Sequence, residues 1–291
     1  MTPVLQSLIA GHWLGQEPAQ LLRSAVNGHP VAHTHAEAPD FGQALDHARR
    51  VGLPTLLQLG FQERAAILKA LARYLGEHKE TLYALSAHTG ATRNDGWIDI
   101  EGGSGTLAAY AAFGGAELPG GNLVHEGPVL PLSKKGGFAG THVLVPRGGV
   151  AVHINAFNFP VWGLLEKFAP SFLAGMPCIA KPATATSYLT EACVRLMMQS
   201  GLLPAGALQL VIGSTGDLLG RLQESDAVTF TVEPLWPIRS QPANRTGCWA
   251  VPEWNGNATA LAAIPLPSQR NASNRSGSGP ASAAAERCSP C

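Results

Sequence analysis

The sequence predicts an α/β fold: a partial parallel sheet, a helical region before it and a disordered tail after it. Two observations carry this. From residue 143 onward, short apolar runs alternate with segments of helical spacing, and at Thr231 the chain changes character. Alternation of this kind means right-handed crossovers between parallel strands, an open Rossmann-like layer that binds ligands outside its strand C-terminal ends.

The elements follow in order. Asn27-Gly28 separates two short extended runs and predicts a tight hairpin. His33 and His35 alternate on one face of its second run; a metal site needs more ligands than these two, so both read as surface histidines. Asp40 is placed to cap a helix over Phe41–Val51 that Gly52 and Pro54 end. Phe61–Leu75 puts Leu68, Leu71 and Leu75 on one face, with Glu63 in the first turn to suit the helix dipole. Further helices are expected over Lys79–Ala87, stopping at Gly90, and over Asp95–Phe113, weakened by Gly102, Gly103 and Gly105.

The alternating half begins with a strand at Val150–Ile154 and a helix at Pro160–Leu173 that Gly175 ends. A strand at Cys178–Ala180 precedes a helix at Thr186–Ser200 and a third strand at Leu208–Ile212. A short helix over Asp217–Gln223 leads into a fourth strand, Ala227–Thr231. Residues 232–291 hold eight of the 22 prolines and neither lysine nor aspartate, and they lack an apolar period. Such a segment cannot bury enough surface to offset its ordering entropy, hence the expected tail.

Composition narrows the partners. Twenty basic residues cancel twenty acidic ones and charged residues are only 14% of the chain, so no basic field is available for nucleic acid or an anionic membrane. Apolar runs break well short of eighteen residues, and Met1-Thr-Pro-Val-Leu lacks the basic flank and apolar run of a signal peptide; the expected setting is the cytoplasm. Of five cysteines, Cys178 and Cys193 read as packed core thiols, while Cys248, Cys288 and Cys291 fall in the last sixty residues. No second ligand pair accompanies Cys288-Ser-Pro-Cys291, so no zinc site is expected, and the strand-to-helix context of a redox motif is missing.

The strand ends hold the candidate chemistry. Asn155-Ala-Phe-Asn158-Phe-Pro160 follows the first strand; Asn158 could donate to an oxyanion or simply cap the helix. Lys181 ends the second strand, where it could meet a ribose or phosphate or be a solvated lysine. Gly213-Ser-Thr-Gly216 after the third is a weak phosphate-nest pattern.

In this order and spacing, residues 1–231 resemble the aldehyde dehydrogenase superfamily. Ile154-Asn-Ala-Phe-Asn-Phe-Pro160 is similar to the family's Pro-Trp-Asn-Phe-Pro segment, and Lys181-Pro182 to its ribose-contacting lysine. Pro204–Gly213 is similar to its strand running into the cofactor pocket, and Val228-Thr-Phe-Thr231 to the start of its Thr-Gly-Ser pyrophosphate corner. Through Ala84–Arg93, Asp99–Gly103 and Val152–Pro160 the chain more narrowly resembles the dehydrogenase part of the bifunctional ring-opening enzymes of phenylacetyl-CoA catabolism, with the benzoyl-CoA pathway semialdehyde dehydrogenases next.

The resemblance implies thiolate attack on an aldehyde, hydride transfer to a nicotinamide cofactor and glutamate-assisted hydrolysis. It implies Asn158 as the oxyanion donor and Ile154, Asn155, Lys181, Thr184, Gly213, Phe230 and Thr231 as cofactor-binding residues, with no metal. Thr184 stands where many NAD-specific members carry a glutamate, so NADP is the implied cofactor and NAD the alternative. The implied substrate is a CoA-linked semialdehyde, and intact relatives are expected to be homo-oligomers.

The pattern then departs. Val232-Glu233 replaces the family's Gly-Ser, and neither the glutamate segment nor the Gly-Gln-x-Cys nucleophile segment follows. Cys291 falls near the expected separation from Asn158, but its neighbours match nothing there. Residues 1–231 thus read as the N-terminal, cofactor-binding portion of a dehydrogenase domain, and 232–291 as a non-homologous stretch like an out-of-frame read. Two functions follow as expectations: an aldehyde oxidoreductase by lineage whose chain is catalytically incomplete, or a non-catalytic fragment that binds dinucleotide or a subunit.

Overall fold

The computed structural model describes residues 2–231. The expected tail, with Cys248, Cys288 and Cys291, lies outside them. The chain opens with two hairpins, β1 (Ser7–Ile9) with β2 (His12–Leu14) and β3 (Pro18–Arg23) with β4 (Pro30–His35). Gly28 takes the left-handed conformation (φ 72°) that the Asn27-Gly28 turn requires. The first hairpin carries no sequence signal, because three-residue strands are too short to show a period.

Helices follow: α1 (Phe41–His47), α2 (Leu53–Leu57), α3 (Phe61–Glu77), α4 (Lys79–Ser86) and α5 (Arg93–Ala116). Asp40 caps α1, accepting from the Gln43 amide at 3.0 Å. The expected stop at Gly52 and Pro54 is corrected: residues Ala48–Gly52 widen into a π-helical turn and the helix resumes as α2. Pro54, which has no amide to donate, sits where the π-helical turn gives way to α2. Gly52 serves close approach instead, since a Cβ there would meet the Gly206 carbonyl. Helix α5 outruns its expected range at both ends, its start fixed by Thr92 and Asp95, which exchange side-chain-to-backbone bonds at 3.2 and 3.0 Å.

A second ribbon, β5 (Val124–Pro131) with β6 (Ala139–Leu144), precedes β7 (Ala151–Ile154), α6 (Trp162–Leu173), β8 (Cys178–Lys181), α7 (Ser187–Gln199), β9 (Leu208–Leu210) and β10 (Ala227–Phe230). The expected helix over Asp217–Gln223 is a 3₁₀ turn, Leu218–Arg221. The main sheet runs β10-β7-β8-β9-β1-β2; its first four strands are parallel, and β1 and β2 extend it antiparallel.

Two buried cores flank this sheet. Ala151, Cys178, Ala180 and Leu210 belong to the larger, with Leu164, Phe168 and Phe172 of α6 and Leu68 and Leu71 of α3. Val152, Ile179 and Val211 alternate onto the smaller, with Phe41, Ala44 and Leu45 of α1. Buried Gln209 ties the second layer down, donating to the Ala44 carbonyl and accepting from the Ala10 amide, both at 2.8 Å. Arg64, wholly buried, gathers the carbonyls of Leu56, Leu59 and Leu173 and the Asn122 amide oxygen, joining α3 to the ends of α2 and α6. Among the described residues no helix is long and apolar enough to cross a membrane.

Candidate functional site

Parallel pairing brings the ends of β7, β8 and β10 level. Phe230 faces Ile154 across one ladder and Ile154 faces Lys181 across the next, so three candidate residues from distant segments form one cross-strand row. A row in register shares one side of the sheet. Here it is the α1 side, where Ile154 packs beside the smaller core.

Lys181 is not the freely solvated lysine of the alternative reading. It is half-buried, its Nζ donates to the Pro182 carbonyl at 2.9 Å, and burial holds its pKa below the ordinary lysine value. Thr184 opens a 3₁₀ turn and its carbonyl accepts from the Ser187 hydroxyl at 2.8 Å. Gly213 follows β9 with φ 97°, and the space where a Cβ would stand is empty to 4 Å. Thr231 continues β10, its amide donating to the Ile154 carbonyl at 3.0 Å.

Asn155 extends β7 by donating its amide to the Lys181 carbonyl at 3.0 Å. Its side chain is 4% exposed, and neither its amide nitrogen nor its amide oxygen has a partner. An unmatched buried amide costs about 1–3 kcal/mol, a debt characteristic of a site where something else binds.

Asn158 sits apart from this row, exposed in the loop before α6. The capping alternative is corrected: α6 begins at Trp162 with Val161 at its cap position, beyond reach of Asn158. Asp99 of α5 does the capping instead, accepting from the Val161 and Trp162 amides at 3.0 and 2.7 Å. Burial pushes the Asp99 carboxyl up to about 7, and the two amide bonds oppose that shift. Asn158 is thereby left with a free amide at the mouth of a loop held from below.

Beneath the loop, buried His153 shares a 2.7 Å bond with the Thr229 hydroxyl, and burial next to Lys167 lowers its pKa to about 3. Lys167 is itself buried, donating to Glu166 at 2.7 Å and to the Gly163 carbonyl at 3.1 Å. Burial raises the thiol pKa of both Cys178 and Cys193, so neither is a nucleophile in waiting. Nor is His35 a surface histidine: the strand turns it inward, 7% exposed, onto the Ser7 hydroxyl at 2.8 Å. Among the described residues no three His, Cys, Asp or Glu side chains group to hold a metal. Asp99 and Ser7 went unassigned in the sequence because their partners lie 62 and 205 residues away.

Comparison with known proteins gives the family and the fold. Residues 16–234 match the profile described as the aldehyde dehydrogenase family. The chain is 40% identical over 229 residues to a 3,4-dehydroadipyl-CoA semialdehyde dehydrogenase of Aromatoleum evansii, covering 78% of this chain and 44% of that protein. It is 31% identical over 237 residues to an N-succinylglutamate 5-semialdehyde dehydrogenase of Escherichia coli O157:H7, covering 77% and 44%. Among solved structures, PnpE in complex with nicotinamide adenine dinucleotide superposes with TM-score 0.66 at 25% identity, over 78% of this chain and 46% of that one. A Staphylococcus aureus betaine aldehyde dehydrogenase complexed with NAD+ gives 0.64 at 19%, over 78% and 50%, a likeness of fold. The chain thus spans less than half the length of the curated relatives it matches.

Proposed function

Because the chain belongs to the aldehyde dehydrogenase family, we propose that its strand ends bind a nicotinamide dinucleotide, and that its lineage oxidises a CoA-linked semialdehyde to the acid. The cross-strand row of Phe230, Ile154 and Lys181 carries the reading, with the open Gly213 turn after β9 and Asn155 next in the chain, its side chain on the α6 side. These residues fit a dinucleotide. Gly213 leaves room for close approach of a phosphate or ribose, and Lys181 supplies a positive charge.

When bound, the dinucleotide supplies a hydride acceptor. Lys181 would hold a ribose hydroxyl or phosphate; Thr184, with no carboxylate to repel a 2′-phosphate, favours NADP over NAD. Asn158 would donate its amide to the oxyanion formed when a thiolate adds to the aldehyde. Neither described cysteine is placed to supply that thiolate, so residues 1–231 act as the cofactor-binding portion, with no nucleophile among the described residues. The CoA-linked substrate is supported by the name of the Aromatoleum relative, and the phenylacetyl-CoA setting by the Ala84–Arg93 and Asp99–Gly103 segments.

The test is a titration of the purified chain with NADP+ and NAD+, alongside an assay for reduced nicotinamide with an aldehyde present. Saturable binding is expected, with Lys181→Ala weakening it about tenfold or more, as loss of a charge-assisted bond predicts. Failure of both dinucleotides to bind would sink the proposal. Turnover abolished by Cys291→Ala would instead move catalysis into this chain.

A further inference from the structure

Strand β9 pairs with β1 at Leu8 and Leu210 only, yet the chain stays extended to Ile212 before the Gly213 turn. On one side Val211 donates to the Ala180 carbonyl of β8 at 2.9 Å. On the other, the Ile212 amide finds no strand carbonyl and donates to the Ser7 hydroxyl, also at 2.9 Å. Ser7 is wholly buried and its hydroxyl meets His35 Nε2 at 2.8 Å, while His35 Nδ1 lies 3.5 Å from a Glu37 carboxylate oxygen. The other Glu37 oxygen accepts from the Gln16 and Glu17 amides at 2.8 and 3.2 Å. A Cβ on Gly15 would stand 2.5 Å from the His35 ring, so only glycine there lets the imidazole lie as it does.

The order serine, histidine, carboxylate is that of a hydrolytic triad. Full burial of Ser7, and the Ile212 N–H already on its oxygen, leave no approach for a substrate. The Ser7 hydroxyl is instead held from two sides: it shares a hydrogen bond with His35 Nε2, and its oxygen accepts from the Ile212 amide. Glu37 faces the ring by charge alone, since His35 Nδ1 makes no hydrogen bond.

We infer that Ser7, His35 and Glu37 are positioning residues that fix the Ile212–Gly213 turn, the edge against which the dinucleotide is read. This rests on the reading of Gly213 as part of the cofactor site. The Ile212 side chain is packed in the larger core, but Gly213 meets nothing within 4 Å of its Cβ position. The next contacts are Gly216 against Phe41 and buried Leu218, so the bond to Ser7 is the polar tether at the start of the turn. The relay reaches it from β4 through β1, so the N-terminal hairpins hold the far side of the candidate site.

The test has two readouts on the full chain. Amide hydrogen exchange over residues 208–216, without ligand, reads the tether itself; titration with NADP+ and NAD+ reads its consequence. Ser7→Ala removes the acceptor. Glu37→Gln keeps an oxygen for the Gln16 and Glu17 amides and removes the charge facing His35. Ser7→Ala is expected to speed exchange at 208–216, with β7 and β8 unchanged, and to weaken dinucleotide binding by about tenfold for the loss of one buried bond. Glu37→Gln, which removes a charge and no hydrogen bond to His35, is expected to do both to a smaller extent. Ser7→Thr, which restores the hydroxyl, should recover both. Unchanged exchange at 208–216 in Ser7→Ala overturns the relay, as does acceleration spread equally through β7 and β8. If the unmutated chain binds neither dinucleotide, the cofactor reading fails separately, and the exchange result alone decides the relay.

Discussion

Asp99 and His153 are both buried, and burial moves their pKa values in opposite directions, to about 7 and about 3. The folded state therefore holds the Asp99 proton more tightly than the unfolded chain does, and stability from this group is full below pH 3.8 and lost as pH rises toward 7. His153 does the reverse: the unfolded chain binds its proton more tightly, so its contribution is full above pH 6.5 and lost as pH falls toward 3. The two slopes oppose each other between about pH 4 and 6.5, which predicts a shallow stability profile for the unmutated chain. Asp99→Asn should leave the His153 slope exposed and steepen acid unfolding; His153→Gln should leave the Asp99 slope and make stability decline from pH 4 toward neutrality. Urea midpoints across that range measure both, and parallel profiles for the two variants would contradict the assignment. Asp99→Ala, which also strips the cap from α6, should be about 1–2 kcal/mol less stable than Asp99→Asn throughout the window, since neither variant titrates there.

Helix α5 carries glycines at 96, 102, 103, 105, 114 and 115 that propensity alone counts against it. It survives because several of them are contact surfaces. A Cβ on Gly114 would lie 2.7 Å from Leu173 Cδ1 and 2.9 Å from Ala65 Cβ, so this glycine lets α3, α5 and α6 approach. At Gly105 the same Cβ meets nothing within 4 Å. Gly105→Ala should accordingly stabilise the chain by about 0.5–1 kcal/mol, whereas Gly114→Ala should destabilise it by about 1–3 kcal/mol despite the same gain in propensity. Thermal unfolding of the pair decides this, and matching shifts would show that packing is not what Gly114 serves. The same division explains what could be read from sequence. Helices α3 and α6 and strands β7, β8 and β10 were legible because each repeats its own period, and the strand-end residues because they follow those strands directly. Strand β1, the resumed helix α2, the Asp99 cap and the inward turn of His35 were not, because each depends on a partner far along the chain that no local period encodes.

The described residues make a six-stranded sheet with two cores and two separate two-stranded ribbons, of which β5–β6 belongs to neither core. None of the apolar side chains of β5 and β6 joins a buried core, and Val129, Leu130, Val143 and Leu144 stay exposed, with Leu132 and Phe138 beside them. A two-stranded ribbon is marginal alone in water, and so many exposed apolar side chains on one ribbon mark an interaction site or an aggregation hazard. The β3–β4 hairpin avoids that fate by turning Leu22 and Ala32 into the larger core and His35 onto β1, whereas the ribbon has nothing beneath it among the described residues. The purified chain should therefore self-associate in a concentration-dependent way, through this ribbon and not through the strand ends. Leu130→Lys with Phe138→Ser should lower the associated fraction seen by light scattering without changing dinucleotide affinity, since the ribbon contributes no residue to the proposed site. Association unaffected by the double substitution would move the sticky surface elsewhere. The outer edge of β10, whose pairing with β7 leaves its other side free among the described residues, would then be the next candidate.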